Sequence, residues 1–171
     1  EAIRWGVGLD HKFDSSLSGG VEVSKRYLKH HILDQDNARE IIADRRESNY
    51  RAYLLWAPHP RWAGTLEYFR EHFDNSENGG ALDTETQIIP VGLSYFDPSG
   101  LFAKFKTSFY GQTVNIENQD QSDNTVFLDL SLGYRLPKRH GLFEVQFQNL
   151  LDQNYRYEGL QARQPVDNGG V

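Results

Sequence analysis

The sequence predicts an all-β fold, an antiparallel up-and-down transmembrane β-barrel with about eight visible strands, with residues 1–171 as a single barrel domain or barrel fragment. Three observations predict it. Apolar and polar residues alternate with a period of two in one segment after another. The segments are about 9–13 residues long, which suits a tilted strand that crosses hydrocarbon. Short turns alternate with long polar connections along the chain.

Composition narrows the class of protein. The chain has 3 Trp, 9 Tyr and 10 Phe, a net charge of −6 and no cysteine. A negative chain offers no general basic field, so nucleic acid is not expected as a partner. Without cysteine, these residues contain no disulfide framework and no thiolate metal site. No run of eighteen apolar residues is present, which excludes a spanning helix here, whereas a spanning strand needs only one apolar face.

The best-defined element is a hairpin near the end of the sequence. Residues 126–136 place Val, Leu and Tyr on one face and mostly polar or small residues on the other. Residues 137–141 interrupt the alternation, since proline cannot donate to a ladder and glycine tolerates a tight turn. A second alternation follows from Phe143 to Phe147. Two strands joined by a short turn indicate an antiparallel hairpin.

Six earlier segments show the same pattern less regularly. Pro58 and Pro60 are predicted to end the third strand, because each removes a backbone donor. Pro98 and Gly100 indicate a tight turn between the fifth and sixth strands. In the fourth strand, aromatic residues also occur on the polar side. The six predicted strands lie near residues 1–13, 20–31, 49–57, 61–73, 86–96 and 101–115.

Three polar segments, 32–48, 74–85 and 116–124, are predicted to be long loops. The centre of the first is compatible with a helical turn. They follow the second, fourth and sixth strands, whereas short turns follow the first, third, fifth and seventh. In a meander, all the long loops then emerge at one end. This arrangement is typical of outer-membrane barrels, which have short periplasmic turns and long extracellular loops.

Under this hypothesis the two kinds of strand face have separate roles. Charged residues on the polar faces are expected to face the lumen and to pair across strands. Aromatic residues near the strand ends are expected to form interfacial girdles. The lumen-facing candidates are Arg4, Asp10, Lys12, Glu22, Arg26, Arg51, Glu67, Lys104, Lys106, Asp129, Arg135 and Glu144. The interfacial candidates are Trp5, Trp56, Trp62, Tyr95, Tyr134, Phe143 and Tyr155.

The segment 148–157, QNLLDQNYRY, resembles the N-L-F/L-D-x-x-Y/F-R motif near the C-terminus of TonB-dependent receptor-like barrels. The preceding LDLSLGYRLPKRHGLFEVQF is similar to their last hairpin, and the nearest likeness is to barrels that follow tetratricopeptide repeats. Such barrels finish with a further strand, whereas residues 165–171 have a loop composition. The sequence is therefore expected to be an excerpt of a larger barrel that lacks at least the closing strand.

The resemblance implies a function, a location and partners. The function is porin- or receptor-like passage or uptake of a polar solute through the outer membrane of a Gram-negative bacterium. The implied partners are membrane lipid and lipopolysaccharide, with a TonB-type energiser or other subunits completing the barrel as further candidates.

Two other classes of protein stay open. A soluble β-barrel ligand carrier would turn the Leu and Val faces inward around an apolar molecule. An outer-membrane barrel hydrolase would need a nucleophile and a base, for which the histidines are the candidates. The sequence contains no Gly-x-Ser-x-Gly elbow and no recognisable nucleophile–base pair, so no catalytic residue is assigned and an enzyme is not predicted. The histidines are His11, His30, His31, His59, His72 and His140.

No metal or cofactor is predicted. His30 and His31 are adjacent, and neighbouring residues on a strand point to opposite faces. The carboxylates of the polar segments lack the spacing of an EF-hand loop, which favours solvated side chains over a calcium site. These carboxylates are Asp34, Asp36, Asp74, Glu77, Asp120 and Asp123.

Overall fold

A computed structural model describes residues 2–34, 39–77, 80–116 and 119–154 of the chain. Eight strands and one short 3-10 turn of three residues at Pro137–Arg139 make up the regular structure of this part. The strands are β1 (Ala2–Lys12), β2 (Leu17–Asp34), β3 (Arg39–His59), β4 (Trp62–Glu77), β5 (Gly80–Phe96), β6 (Leu101–Ile116), β7 (Gln119–Arg135) and β8 (Leu142–Phe147).

The eight strands form a single antiparallel sheet in which each strand pairs with its neighbours in sequence order. This confirms the prediction of an all-β, up-and-down fold with about eight strands. The sheet is open within the described residues, where β1 and β8 are its two edges. In the same part of the chain, no helix has the length and the apolar character needed to cross a membrane.

The prediction of long polar loops at 32–48, 74–85 and 116–124 is wrong, because β2 to β7 continue through most of these segments. Asp34 pairs with Arg39, Glu77 with Gly80, and Ile116 with Gln119. The helical turn is also wrong, since β3 begins at Arg39. Strand formation depends strongly on the neighbouring strand, and here each polar segment extends a ladder that apolar residues have already aligned. The intervening residues 35–38, 78–79 and 117–118 lie outside the described part.

The pairing register assigns each side chain to one of two faces, because directly opposed residues point to the same side of a sheet. One face, called the apolar face, includes a continuous row that crosses seven strands. The opposite face, called the polar face, includes the row formed by Asp10, Gly20, Tyr53 and Glu67. The apolar row consists of Leu17, Trp56, Gly64, Leu93, Phe105, Leu130 and Phe147.

Burial shows which way the sheet curves. Nine described residues with side chains are buried, and all of them lie on the polar face. The apolar face is open to its surroundings, with Val7, Leu9 and Phe143 exposed by 68%, 67% and 67%. The polar face is therefore the inner, concave side. The buried residues are Ser24, Phe73, Thr84, Thr86, Phe102, Ser108, Gln112, Val114 and Thr125.

Large apolar side chains on the apolar face form an oblique band. The band covers residues 3–9 on β1 and 126–134 on β7. The centre of the band on β7 is Leu130. The row of directly opposed residues that contains Leu130 ends at Leu17 on β2, and extending it by one more strand reaches the level of residue 13 on β1. The centre on β1 is residue 6, so the band moves about seven residues over six strand steps. The rise is ~3.3 Å per residue and the spacing between strands is ~4.8 Å. The angle between the strand direction and the line perpendicular to the band is therefore about 40°.

Beyond the band, the sequence of β2 to β7 is mainly polar. We call this part the distal extension, and the opposite end, with the connections 13–16, 60–61, 97–100 and 136–141, the turn end. The row that starts at Trp5 in the band becomes polar as it enters the extension. The partners of Trp5 along that row are Lys25, Ser48, His72, Glu85, Thr113 and Ser122.

Candidate functional site

The most connected group of polar side chains lies on the concave face of β1 to β4. The Tyr53 hydroxyl donates a hydrogen bond to Asp10 Oδ1 at 2.5 Å, passing over β2. Gly20 makes this contact possible, because it stands between the two residues in the same row. A Cβ atom at Gly20 would lie 2.4 Å from Asp10 Oδ1 and 2.9 Å from Tyr53 Cε1. The phenol therefore occupies the space that the glycine leaves.

Arg51 extends this group to β4. Its Nη2 and Nε donate to Glu67 Oε2 at 2.9 and 3.2 Å. The guanidinium carbon also lies 5.1 Å from the centre of the Tyr53 ring, which is within range of a cation–π interaction. Asp10, Arg51, Tyr53 and Glu67 thus form one connected set across three strands, which we call the Tyr53 network.

Two polar hollows of about 390 and 210 Å³ open beside the network. Arg4, Glu22, Ser24 and Arg51 line both of them. Within the described part of the chain, Arg4 has no carboxylate within 4.0 Å, so its guanidinium is available to a solute or to water. Cationic and anionic groups that line one concave surface can solvate a polar molecule and orient its dipole.

A second charged contact lies at the other side of the sheet. Lys104 Nζ is 3.1 Å from Glu144 Oε1 and 4.9 Å from the centre of the Phe102 ring. Between this pair and the Tyr53 network, β5 presents only uncharged side chains on the polar face. There Gln112 Nε2 donates to Thr86 Oγ1 at 2.9 Å in a buried position. The concave surface is therefore charged on both sides of an uncharged strip.

All twelve predicted lumen-facing residues lie on the polar face. The structure joins Arg51 to Glu67 and Lys104 to Glu144, whereas Arg26 pairs with Glu47 at 3.6 Å, a partner that was not predicted. Lys106 and Asp129 stand opposite each other without an ion pair, and Asp129 instead accepts the Asn149 N–H at 2.9 Å. That these residues face a lumen stays a prediction.

The predicted interfacial aromatics lie on the apolar face, except Tyr155, which falls outside the described residues. Five of them, Trp56, Trp62, Tyr95, Tyr134 and Phe143, are at or near the turn end. The ring centres of Trp62 and Tyr95 are 4.8 Å apart. Trp5 is near the opposite edge of the band on β1.

Sequence reasoning missed several residues that matter. The alternation of residues 49–57 puts Tyr53 on the polar side of its strand, yet Tyr53 is not among the candidates above, although a tyrosine between charged residues can donate a hydrogen bond. The sequence pattern does not indicate a role for Gly20, because that role depends on the residues that stand beside it on β1 and β3. At the distal edge of the band, Tyr27, Tyr50 and Tyr68 form a second aromatic group on neighbouring strands.

The motif at 148–157 has a visible local role up to Asn154. Asn149 adopts φ 52°, and its side chain exchanges two hydrogen bonds of 3.0 Å with the Gln153 backbone. The Leu150 N–H donates to Leu128 O at 2.8 Å. This turn therefore ends β8 and fastens the chain to β7. Residues 155–157 lie outside the described part.

Among the described residues, no three His, Asp or Glu side chains come close enough to hold a metal ion. His72 Nδ1 lies 3.3 Å from Asp83 Oδ1 in the distal extension. The side chains of His30 and His31, and the whole of Asp36, fall outside what the structure describes.

Comparison with protein-family models, with curated proteins and with solved structures found no match for this chain.

Proposed function

We propose that this sheet is the wall, or part of the wall, of a transmembrane β-barrel in the bacterial outer membrane, and that its concave side passes or takes up a polar solute. One observation carries the proposal: the apolar face is exposed and convex, whereas the buried side chains of the described residues all lie on the polar face. This is the sidedness of a membrane barrel, whose lipid-facing surface is apolar and whose interior is polar.

The extent of the exposed apolar surface supports a lipid environment. Leu54, Leu93 and Leu132, on three different strands, are each exposed by 40% or more. A water-soluble monomer rarely exposes a continuous apolar patch of more than a few hundred Å². A soluble carrier would need the opposite curvature, with these side chains around its ligand. The direction of curvature therefore favours the membrane protein.

The geometry of the band gives independent support. Strands of membrane barrels tilt by about 35–45°, which is the tilt that the oblique band of this sheet requires. Aromatic residues border the band at the turn end and again at the distal edge, as girdles do at the two interfaces. The distal extension, whose sequence is mainly polar, would then stand outside the bilayer.

A sheet with open edges does not persist in hydrocarbon, because unpaired backbone groups cost several kcal/mol each, on the order of 2–7. In this proposal, further strands pair with β1 and β8, either from the same chain or from another copy. The proposal also includes a TonB-receptor-like barrel, a TonB-type energiser and contact with lipopolysaccharide. These three parts rest on the resemblance of segment 148–157. In the described part of the chain, no arrangement of side chains favours the hydrolase.

The test is membrane partitioning combined with heat modifiability. The chain is expressed with its native flanking sequence, membranes are separated, and a detergent extract is run on gels with and without boiling. We expect a membrane-bound protein whose mobility changes on boiling, and ion conductance in planar bilayers if the barrel is open. A monodisperse protein in buffer without detergent would contradict the proposal, and ligand screening for a carrier would follow.

A further inference from the structure

A group of basic side chains lies on the outward side of the sheet, just beyond the apolar band. Lys25 on β2, Arg46 on β3 and Arg70 on β4 share this side, as the register of the three strands shows. Tyr27 stands directly opposite Arg46, and Tyr50 directly opposite Arg70. We call Lys25, Arg46 and Arg70 the basic patch. It lies at the level where an aromatic girdle meets the headgroups in the proposed barrel.

Charge on this side of the distal extension is segregated. Acidic residues predominate from β4 to β7, where Asp74 stands opposite Asp83 and Asp120 opposite Asn115. The patch is only partly neutralised. Arg70 Nη2 is 2.7 Å from Glu85 Oε2, whereas Lys25 and Arg46 have no carboxylate of any described residue within 4.0 Å, although Arg46 is opposite Asp74. Two cations at one edge of the band are therefore available to an anion.

An apolar groove of about 480 Å³ lies on the same outward face, closer to the turn end than the basic patch. It exists because Gly19 and Ala52 present almost no side chain between Leu9 on one side and Leu66 on the other. Val21, Ala52 and Leu66 place most of the groove inside the apolar band, and His11 and Phe13 extend it toward the turn end. From Val21, which lines it, Lys25 is four residues away on the same strand, or ~13 Å at ~3.3 Å per residue. With a strand tilt of about 40°, this corresponds to a depth of ~10 Å, which falls within one leaflet of a hydrocarbon core of ~30 Å.

We propose that the groove and the basic patch together bind one phosphate-bearing membrane lipid, with an acyl chain along the groove and the phosphate against Lys25 and Arg46. The inference rests on the proposed function, because it needs the apolar face in a bilayer. An apolar groove and two free cations, ~13 Å apart along β2 on one face, match the acyl chain and the phosphate of a single lipid. Free phosphate would use the cations alone, and the apolar groove would contribute nothing to its binding.

The test measures which lipids stay bound to the protein expressed with its native flanks. The protein is extracted, placed in nanodiscs of phosphatidylcholine and phosphatidylglycerol in equal amounts, released into mild detergent and examined by native mass spectrometry. We expect phosphatidylglycerol to be retained in preference. Replacing both Lys25→Gln and Arg46→Gln should reduce that preference at least tenfold, since each basic residue near a membrane surface contributes a factor of about five.

Two further variants separate the parts of the site. Lys12→Gln with Lys106→Gln removes the same charge from the polar face and should keep the preference. Ala52→Leu fills the groove and should weaken retention of the lipid without changing any charge. Competition by inorganic phosphate at millimolar concentration should be weak, and full displacement by phosphate would overturn the lipid assignment.

Failure of this inference is distinguishable from failure of the proposed function. If the protein enters nanodiscs and shifts on boiling but retains both lipids equally, the lipid site is wrong and the barrel stands. Equal loss of preference in the control variant would also refute the site. If the protein does not enter nanodiscs, the proposed function and the lipid site are both refuted.

Discussion

The ring of Phe102 lies against Gly133, directly opposite on the neighbouring strand, and occupies the space that a side chain at Gly133 would need. A Cβ atom there would be 2.2 Å from Phe102 Cζ and 2.6 Å from the Phe143 backbone oxygen. Phe102 is also among the buried side chains of the concave face. The pair therefore fixes the packing of β6, β7 and β8.

The first prediction concerns this contact. Gly133→Ala should lower the free energy of unfolding by about 1–3 kcal/mol, the usual cost of overpacking a tightly filled position. Gly8→Ala is the matched control, because its Cβ would meet nothing closer than 3.5 Å. Denaturant unfolding in detergent, followed by tryptophan fluorescence, measures both. Equal stability of the two variants would contradict the packing role of Phe102.

The second prediction concerns the Arg51–Glu67 ion pair. Both side chains are partly exposed, by 45% and 34%, so their attraction is screened by solvent. A double-mutant cycle with Arg51→Gln and Glu67→Gln should give a coupling of about 0.2–1 kcal/mol at low salt, and less at high salt. A cycle between Arg51 and the distant Lys106 should give none. A salt-independent coupling above this range would show that the pair is shielded from water.

The third prediction concerns the turn between β1 and β2. The Asp14 carboxylate accepts hydrogen bonds from the Ser16 N–H at 2.6 Å, the Ser16 hydroxyl at 2.8 Å and the Leu17 N–H at 2.9 Å. The Ser16 N–H, more than the other two donors, holds the pKa of the Asp14 carboxyl below its ordinary value. A lowered folded pKa stabilises the protein above the unfolded pKa, and the effect is lost as pH falls through the folded pKa.

Asp14→Ala should therefore be less stable than the parent protein at pH 6, and the difference should shrink as pH falls below 3.8. Melting temperatures from pH 6 to pH 2 measure this. Ser16→Ala removes the hydroxyl bond and keeps both backbone bonds, so it should show an intermediate loss. A difference that is constant across this pH range would mean that the carboxylate charge does not stabilise the turn.

The fourth prediction tests the environment of the convex face. Leu93 lies in the middle of the band and is 42% exposed. In a bilayer, Leu93→Lys should cost about 2–4 kcal/mol, because a charge near the midplane loses its hydration. Leu93→Ala controls for lost side-chain contacts, and Gln146→Lys places the same charge on the polar face. Urea unfolding in lipid vesicles measures all three. A Lys variant as stable as the Ala variant would place Leu93 in water.

Local patterns were sufficient for much of the fold. Alternation with a period of two depends only on neighbouring residues, so the sequence assigned residues such as Phe69 and Phe73 to the polar face, where the register places them. Turn chemistry is equally local. Gly100 has φ 102°, and the 3-10 turn starts at Pro137, both within predicted turns. The extent of the polar hairpins was missed, because the alternation of apolar and polar residues becomes irregular in these segments.

Short-range alternation and turn residues are enough to specify an antiparallel meander whose strands have an apolar and a polar face. The direction of curvature, the extent of the ladders and the contacts between side chains are set by the folded sheet. The contact between Tyr53 and Asp10 over Gly20 joins residues that are 43 positions apart in the chain. Such contacts depend on register and curvature, which arise from the pairing of all the strands together.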